Sequence, residues 1–455
     1  MTAPAPARRP SPANVVYVYP WDVLGDPAAP GRLAALGVDA VALTASYHSV
    51  RAATPYHPRH RVVDAHAACY VPVRARAWTG RLVPATPSWT PPDAFVRARD
   101  LLRAEGLAVH AWTVLTHNSL LGSAHPGLTV RNAFGDAYPY ALCPSRPEVV
   151  EYCRTLVREV VELGEPDALT LEACGPLGFR HPGAHEKTEG ADWRKAQADL
   201  LSLCFCTACA ARYPAGTRAR VRAGVDGPSR SMEDALGDLA PAVRQARIGL
   251  ASNLRRALVA EARRVRPGLP INLHGNSDPW AAGSFSTVAP PAEKDVGLGP
   301  EHGRTGGPEN GQVAGERPGP EHGRTDGPKS GEMVGEHPGP EPGVDVLVGN
   351  CWGTVASDTA NLARLRALAD RTTRIGAYLL ILPPRPADSG ELLRLMRAYV
   401  AAGAQEFHIY HGGLASAARL EAVTTALTAF RTGSDASGPK ARRDRRGTVP
   451  PDGIS

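Results

Sequence analysis

Short apolar runs rich in β-branched and aromatic residues punctuate the chain, and most are followed by a segment of helical period. The runs Asn14–Tyr19, Ala40–Thr44, Ala108–Leu115, Ala168–Leu171, Pro270–Gly275, Val344–Val348, Ile375–Leu382 and Glu406–Tyr410 read as strands. Apolarity over so few residues, bounded by Gly, Pro or polar turns, suits a sheet buried on both faces. Between them, apolar stripes at helical spacing predict helices at about Gly31–Leu36, Pro92–Glu105, Arg146–Leu163, Thr359–Ala369, Gly390–Ala402 and Ala415–Phe430. A larger helical region, Asp192–Arg266, ends in a long helix from about Leu239 to Val265. In Pro92–Glu105, Phe95, Val96, Ala98, Leu101 and Leu102 share one side and Gly106 supplies the stop. Ser145 and Glu148 have the spacing of a capping box ahead of Arg146–Leu163.

Eight strands alternating with helices predict an α/β chain folded as a (β/α)8 TIM barrel. A doubly wound open sheet is the alternative, but no Gly-rich phosphate fingerprint follows the first strand. The barrel is expected to span residues 14–431, with a helical insertion at 192–266 after strand four. Residues 291–343, between strands five and six, are rich in Gly, Pro and Glu, and the heptapeptide Gly299–Thr305 recurs as Gly319–Thr325. These repeats lack apolar residues to bury, so the segment is expected to be a disordered low-complexity insert rather than a solenoid. A fifth helix must then lie within Pro279–Ala289 or be missing. Residues 1–13 read as a disordered Pro/Ala-rich arm and 432–455 as a disordered basic tail. The long excursion Ser46–Pro92 is rich in His, Arg, Tyr and Pro, and its aromatic content favours order.

Composition narrows the classes. Hydrophobic residues at 43% supply a sizeable core, and 21% charged residues are ordinary for a soluble chain. The net charge of +6 comes partly from the tail Lys440–Arg446, and no basic stripe is interleaved with aromatics, which argues against nucleic acid as a partner. No segment has the roughly 18 consecutive apolar residues of a membrane span. The N-terminus has no apolar run after its two arginines, so a cytoplasmic location is expected. The chain's 8 cysteines are then expected as free thiols or metal ligands. Oligomeric state is not encoded in any of these features.

The C-terminal strand ends of a barrel carry its chemistry. Here those positions hold Tyr19, Trp21 and Asp22 at strand one, Tyr47 and His48 after two, and Trp112, His117 and Asn118 at three. Strand five supplies His274, Asn276 and Asp278, strand six Asn350 and Trp352, strand seven Tyr378, and strand eight Tyr410 and His411. A rim of Trp, Tyr, His and Asn suits stacking on sugar faces and bonding to hydroxyls, so these are candidate substrate-binding residues for a carbohydrate. Strand four delivers Glu172. Burial at an apolar strand end is expected to raise its carboxyl pKa and suit it to acid/base work. A two-carboxylate hydrolase needs a partner acid, and Asp278 is the first choice, with Glu186, Asp22 and Asp388 as the other candidates. The loop Phe179–Lys187, with His185 and Glu186, reads as substrate-facing.

Cys204, Cys206 and Cys209 form a C-x-C-x-x-C run that can present three thiolates to one structural Zn²⁺. Cys174, Cys143 or a histidine could supply the fourth ligand. Three reduced thiols packing a helix start are the plainer alternative. Metalloprotease spacings of histidine are absent, so no catalytic metal and no obligatory cofactor are expected.

With Tyr140–Pro144, Leu171–Glu172 and Leu203–Cys209 in view, the chain resembles the bacterial glycoside-hydrolase-like TIM-barrel proteins. That resemblance implies the acid/base role for Glu172. The chain departs from the pattern at Leu171, where many such enzymes have Asn, and at Leu382-Pro383, where the nucleophilic glutamate is missing. The leading expectation is a hydrolase of glycosidic bonds. The alternatives are a barrel that binds carbohydrate without cleaving it, and a sugar isomerase or lyase using Glu172 with His274.

Overall fold

The computed structural model of the chain describes residues 13–179, 187–288 and 343–434. Eight parallel strands close into a barrel. They are β1 (Ala13–Val18), β2 (Ala40–Tyr47), β3 (Ala108–Val114), β4 (Ala168–Glu172), β5 (Ile271–Asn276), β6 (Val346–Cys351), β7 (Arg374–Leu380) and β8 (Glu406–Tyr410). Each pairs with its sequence neighbours, and β1 pairs with both β2 and β8 to complete the circle. Every residue of β2 and of β4 is buried, because one face fills the barrel and the other packs under helices. That is why these strands read as unbroken apolar runs rather than as alternating ones.

Helices Ala29–Ala35, Ala94–Ala104, Pro147–Gly164, Ala240–Val265, Val355–Leu368, Ser389–Ala401 and Ala417–Thr432 surround the barrel. After β4, several shorter helices precede Ala240–Val265 and enclose a second, smaller apolar cluster around Leu200, Leu203, Phe205, Leu236 and Val243. No helix occurs in the described residues between β5 and β6. A two-residue strand, Ser286–Thr287, pairs with β5 instead. The repeat insert, the N-terminal arm, nearly all of the tail and the loop residues His185 and Glu186 lie outside the described residues. Among the described residues, no helix is long and apolar enough to cross a membrane.

The long excursion is ordered as its aromatic content suggested, and one local expectation is corrected. The long excursion after β2 contains the antiparallel hairpin Val50–Ala53/Val62–Ala65 and a strand, Ala68–Cys69, antiparallel to β2. The capping box at Ser145 does not form. Arg146 is the N-cap residue and makes no side-chain cap, while Ser145 Oγ turns to the sulfurs of Cys143 (3.0 Å) and Cys206 (3.3 Å).

The interior is polar and aromatic toward the C-terminal ends. Tyr17 of β1, Trp112 of β3, His274 of β5 and Tyr378 of β7 form one layer drawn from alternate strands. Tyr17 lies 5.0 Å from Trp112, 4.9 Å from Tyr378 and 5.9 Å from His274 between ring centroids. Gly376 makes room for a histidine beside this layer: a Cβ there would meet the His408 ring at 2.8 Å.

Candidate active site

Period-2 alternation aims Thr170 and Glu172 of β4 at the barrel axis, together with Asn272 and His274 of the neighbouring β5. Asn272 Nδ2 bonds Thr170 Oγ1 at 3.2 Å, and one layer higher His274 meets Glu172. Trp112 Nε1 donates to Glu172 Oε2 at 2.6 Å, and His274 Nδ1 lies 3.3 Å from the same oxygen. Glu172 Oε1 accepts no hydrogen bond among the described residues. The carboxylate is therefore tethered at one oxygen, with the other left for chemistry. The turn behind it is held firmly. Ala173 takes a left-handed φ of 57°, uncommon for a residue with a Cβ. Thr116 Oγ1 donates to the carbonyls of Ala173 (2.8 Å) and Gly175 (2.9 Å).

The electrostatic expectation for Glu172 is reversed. Burial alone would raise its carboxyl, but His274, the Trp112 N–H and His48 outweigh it and hold the group below its ordinary value. Glu172 rests as a carboxylate. Its field reaches Tyr17, Tyr47, Tyr378 and Tyr410, whose phenols are pushed up mainly by burial.

Asp22 behaves in the opposite way. Its side chain is 5% exposed, and burial pushes its pKa up to about 7 despite a bond from Tyr19 N at 2.8 Å. Gly413 closes over it: a Cβ at that position would lie 1.9 Å from Asp22 Oδ2. His411 Nδ1 accepts from Gly413 N at 3.2 Å and sits 3.9 Å from Asp22, which leaves the ring proton on Nε2. The Tyr410 phenol feels both Glu172 and Asp22.

The aromatic rim assembles as the sequence suggested. Tyr47 packs edge-on to Trp112 at 4.8 Å and stacks with His48, which stacks in turn on His117 at 4.0 Å. Trp352, 40% exposed, stacks on Tyr378 at 5.5 Å and leans on Tyr410 at 5.0 Å, so it offers a ring to solvent at the mouth. Trp21 is buried between Tyr19, Tyr70 and Trp89. Other expected site residues are occupied by local structure. Asn118 caps helix Ser119–Ala124, Asn276 accepts from Asp278 N, and Asn350 accepts from Trp352 N. Asp278, 34% exposed, caps the Trp280 N–H and pairs with Lys195 Nζ at 2.9 Å. Asp388 caps helix Ser389–Ala401.

Residues overlooked in the sequence are Tyr17, His110, Asn272, Phe285, Glu406 and His408. Phe285 lies parallel to the His274 ring at 4.4 Å. The signal for most of them was available. His110-x-Trp112, Asn272-x-His274 and Glu406-x-His408-x-Tyr410 place polar residues on one face of apolar strands.

A separate cluster joins Cys143 to Cys204, Cys206 and Cys209. The four sulfurs lie within 4.8 Å of one another and all four residues are buried. Cys143 Sγ is 3.6, 3.8 and 3.5 Å from Cys204, Cys206 and Cys209 respectively, much longer than a disulfide of about 2.05 Å. Arg131 N and Cys206 N both donate to Cys204 Sγ. The cluster could hold a metal ion, and Cys143 rather than Cys174 completes it. It links the hairpin Thr129–Arg131/Ala137–Leu142 to the helices after β4. Leu142 N in turn donates to Thr116 O, so the hairpin supports the residue that braces Ala173.

No protein-family model matches the chain, and no curated protein matches it in sequence. Among solved structures it is similar to the PgaB (BpsB) glycoside hydrolase domain of Bordetella bronchiseptica. The TM-score is 0.50 at 14% identity, covering 92% of this chain and 99% of that one. α-L-Fucosidase isoenzyme 2 of Paenibacillus thiaminolyticus gives 0.47 at 12% identity, over 92% of this chain and 49% of that one, so the chain spans about half of that enzyme's length. The catalytic domain of β-amylase from Paenibacillus polymyxa gives 0.45 at 10%, over 91% and 97%. At these identities the likeness to the Bordetella domain is one of fold: this chain is a TIM-barrel protein with a glycoside-hydrolase-like architecture.

Proposed function

We propose that the protein hydrolyses a glycosidic bond, with Glu172 as its reacting carboxylate. The observation that carries this reading is the tether at Glu172 Oε2, made by Trp112 and His274 at the exit of β4, with Oε1 left unbonded beneath an aromatic mouth. Glycosidases need two carboxyl groups whose surroundings push their pKa values apart. Glu172, held down, is suited to attack or to activate water. Asp22, pushed up to about 7, is suited to protonate the leaving oxygen. The shared influence of both on Tyr410 supports a common space between them. Trp352 and Tyr378 offer a stacking surface for a sugar ring.

The test pairs Glu172→Gln with Asp22→Asn on aryl glycosides. Glu172→Gln is expected to lose at least about 100-fold in kcat. Asp22→Asn is expected to lose activity on poor leaving groups and keep it on activated phenols, which leave without a proton. Unchanged turnover in Glu172→Gln overturns the reading, and a wild type that binds sugar without turnover replaces it with a binding barrel. The 3.3 Å contact between Glu172 and His274 favours a second reading, an acid/base pair in a sugar isomerase or lyase. Conversion of a free sugar without glycosidic cleavage would establish it.

We further infer that the four-cysteine cluster holds zinc in a structural role. A tetrahedron with Zn–S bonds of about 2.3 Å has edges of about 3.8 Å, and the sulfurs already lie 3.5 to 3.8 Å from Cys143. Four thiolates leave no open position for catalysis. Protein purified without chelator is expected to carry about one zinc per chain, lost in Cys143→Ser together with thermal stability. A metal-free wild type of the same stability refutes the assignment. None of the eight cysteines is paired in a disulfide, which supports a reducing setting.

A further inference from the structure

Glu172 is one end of a continuous polar chain that crosses the barrel core. Its Oε2 faces His274 Nδ1 at 3.3 Å without the alignment of a hydrogen bond, and Nδ1 has no hydrogen-bond partner. His274 Nε2 lies 3.0 Å from the Tyr17 hydroxyl, which lies 3.0 Å from His408 Nδ1. His408 Nε2 is 3.2 Å from Glu406 Oε2, and Glu406 Oε1 pairs with Arg374 at the opposite end of the barrel. Tyr17, His274 and His408 are wholly buried.

Counting protons constrains the charge of this chain. Its four links need four protons if no lone pair is to face a carboxylate or another lone pair. Two ionised carboxylates, two neutral imidazoles and one phenol supply three. Leaving a buried link unmade costs roughly 1–3 kcal/mol, and more where a charged group is involved. The fourth proton must therefore reside on a histidine or on the carboxylate it faces. Tyr17 has one hydroxyl proton and two imidazole neighbours, so its orientation decides at which end the extra proton sits.

We propose that the chain carries one proton beyond its neutral imidazoles and keeps it on His274, so that Glu172 faces an imidazolium. Tyr17, His408 and Glu406 are positioning residues for that charge. In this state His408 donates Nε2–H to Glu406, Tyr17 donates to His408 Nδ1, and His274 donates Nε2–H to Tyr17 while its Nδ1–H faces the Glu172 carboxylate. Passing the His274 Nε2 proton to Tyr17 while the Tyr17 proton passes to His408 Nδ1 moves the charge to the other end with no net loss of atoms. That end disfavours it, because Arg374 already neutralises Glu406. Burial also holds the His408 pKa down. At the mouth, Glu172 is faced by Trp112, His48 and the phenols of Tyr17, Tyr47, Tyr378 and Tyr410, and His48 alone among them can carry opposing positive charge.

The functional meaning rests on Glu172 as the reacting carboxylate, but the test does not. Full-length protein labelled with ¹⁵N-histidine is read by NMR near neutral pH, with His274→Gln and His408→Gln used for assignment. The wild type is expected to show His274 protonated on both nitrogens. In Glu406→Gln the carboxamide can donate to His408 Nε2, and all four links are then satisfied by neutral imidazoles. The imidazolium signal is expected to vanish there, and likewise in Tyr17→Phe, which divides the chain. The acid limb of any pH–rate profile is expected to move up by about one unit in both variants, since one unit reflects about 1.4 kcal/mol between protonation states. A wild type with His274 neutral, or an imidazolium on His274 that persists in both variants, overturns the inference. Unchanged turnover in Glu172→Gln with the imidazolium present would sink the catalytic reading and leave the proton count intact.

Discussion

Trp112→Phe isolates one of the interactions that hold Glu172 below its ordinary value. Phenylalanine retains an aromatic ring against Tyr17 and Tyr47 but removes the Nε1–H that reaches Glu172 Oε2 at 2.6 Å. A hydrogen bond to a charged group is worth about 1.5–3 kcal/mol, and one pKa unit corresponds to 1.36 kcal/mol, so the Glu172 pKa should rise by about 1–2 units. The sign follows from linkage. In the wild type the folded value lies below the ordinary 4.5, so the carboxylate contributes stability above 4.5 that is lost as pH falls through the folded value. The stability gap between wild type and variant should then be widest above 4.5 and narrow toward acid, leaving only a pH-independent packing loss. A ¹³C-carboxyl titration reads the midpoint of Glu172 directly, and denaturant unfolding across the acid range reads the gap. An unmoved midpoint, or a gap independent of pH, would refute the claim that this N–H holds the carboxylate down.

Asp22 should show the opposite dependence. Its folded pKa of about 7 exceeds the ordinary 3.8, so its proton stabilises the fold at low pH and that contribution is lost as pH rises between those values. Asp22→Asn should therefore gain on the wild type by a few kcal/mol, in order of magnitude, between acid and slightly alkaline unfolding experiments. Trp352→Ala should raise KM about fivefold with little change in kcat, because a stacking contact is worth about 1 kcal/mol and its ring lies at the mouth rather than at Glu172. Equal losses in kcat and kcat/KM would instead tie the ring to the transition state. Asp278→Ala should leave turnover unchanged and cost less than about 1 kcal/mol, since its ion pair with Lys195 is partly exposed. A large loss of kcat would restore Asp278 as the second carboxylate.

Much of this molecule was legible along the chain. Apolar runs bounded by turn residues marked all eight strands to within a few residues, and the strand ends collected Glu172, Tyr47, His48, Trp112, His274, Trp352, Tyr378 and Tyr410 at one mouth. The spacing of Cys204, Cys206 and Cys209 anticipated that their sulfurs gather in one buried cluster. One misreading arose where a residue answered to partners distant in sequence: Ser145 had the spacing of a cap but turned to the sulfurs of Cys143 and Cys206. Tyr17, Glu406 and His408 were passed over because their strands were read as uniformly apolar, although polar residues recur there at every second position.

The sequence by itself determined the barrel, because hydrophobic periodicity is a local property that each strand and helix expresses without its neighbours. It also determined that a carboxylate and a belt of aromatic rings would gather at the strand exits. Only closure of the sheet decided what those groups do. It brought Tyr17, His274 and His408 from separate strands into one line, added Cys143 to three cysteines about sixty residues away, and set Glu172 against Trp112 and His274 while it buried Asp22 beneath Gly413. The charge of each carboxyl follows from desolvation and partners, which exist only once distant strands meet. For that reason the sequence named Glu172 but assigned it the wrong resting protonation.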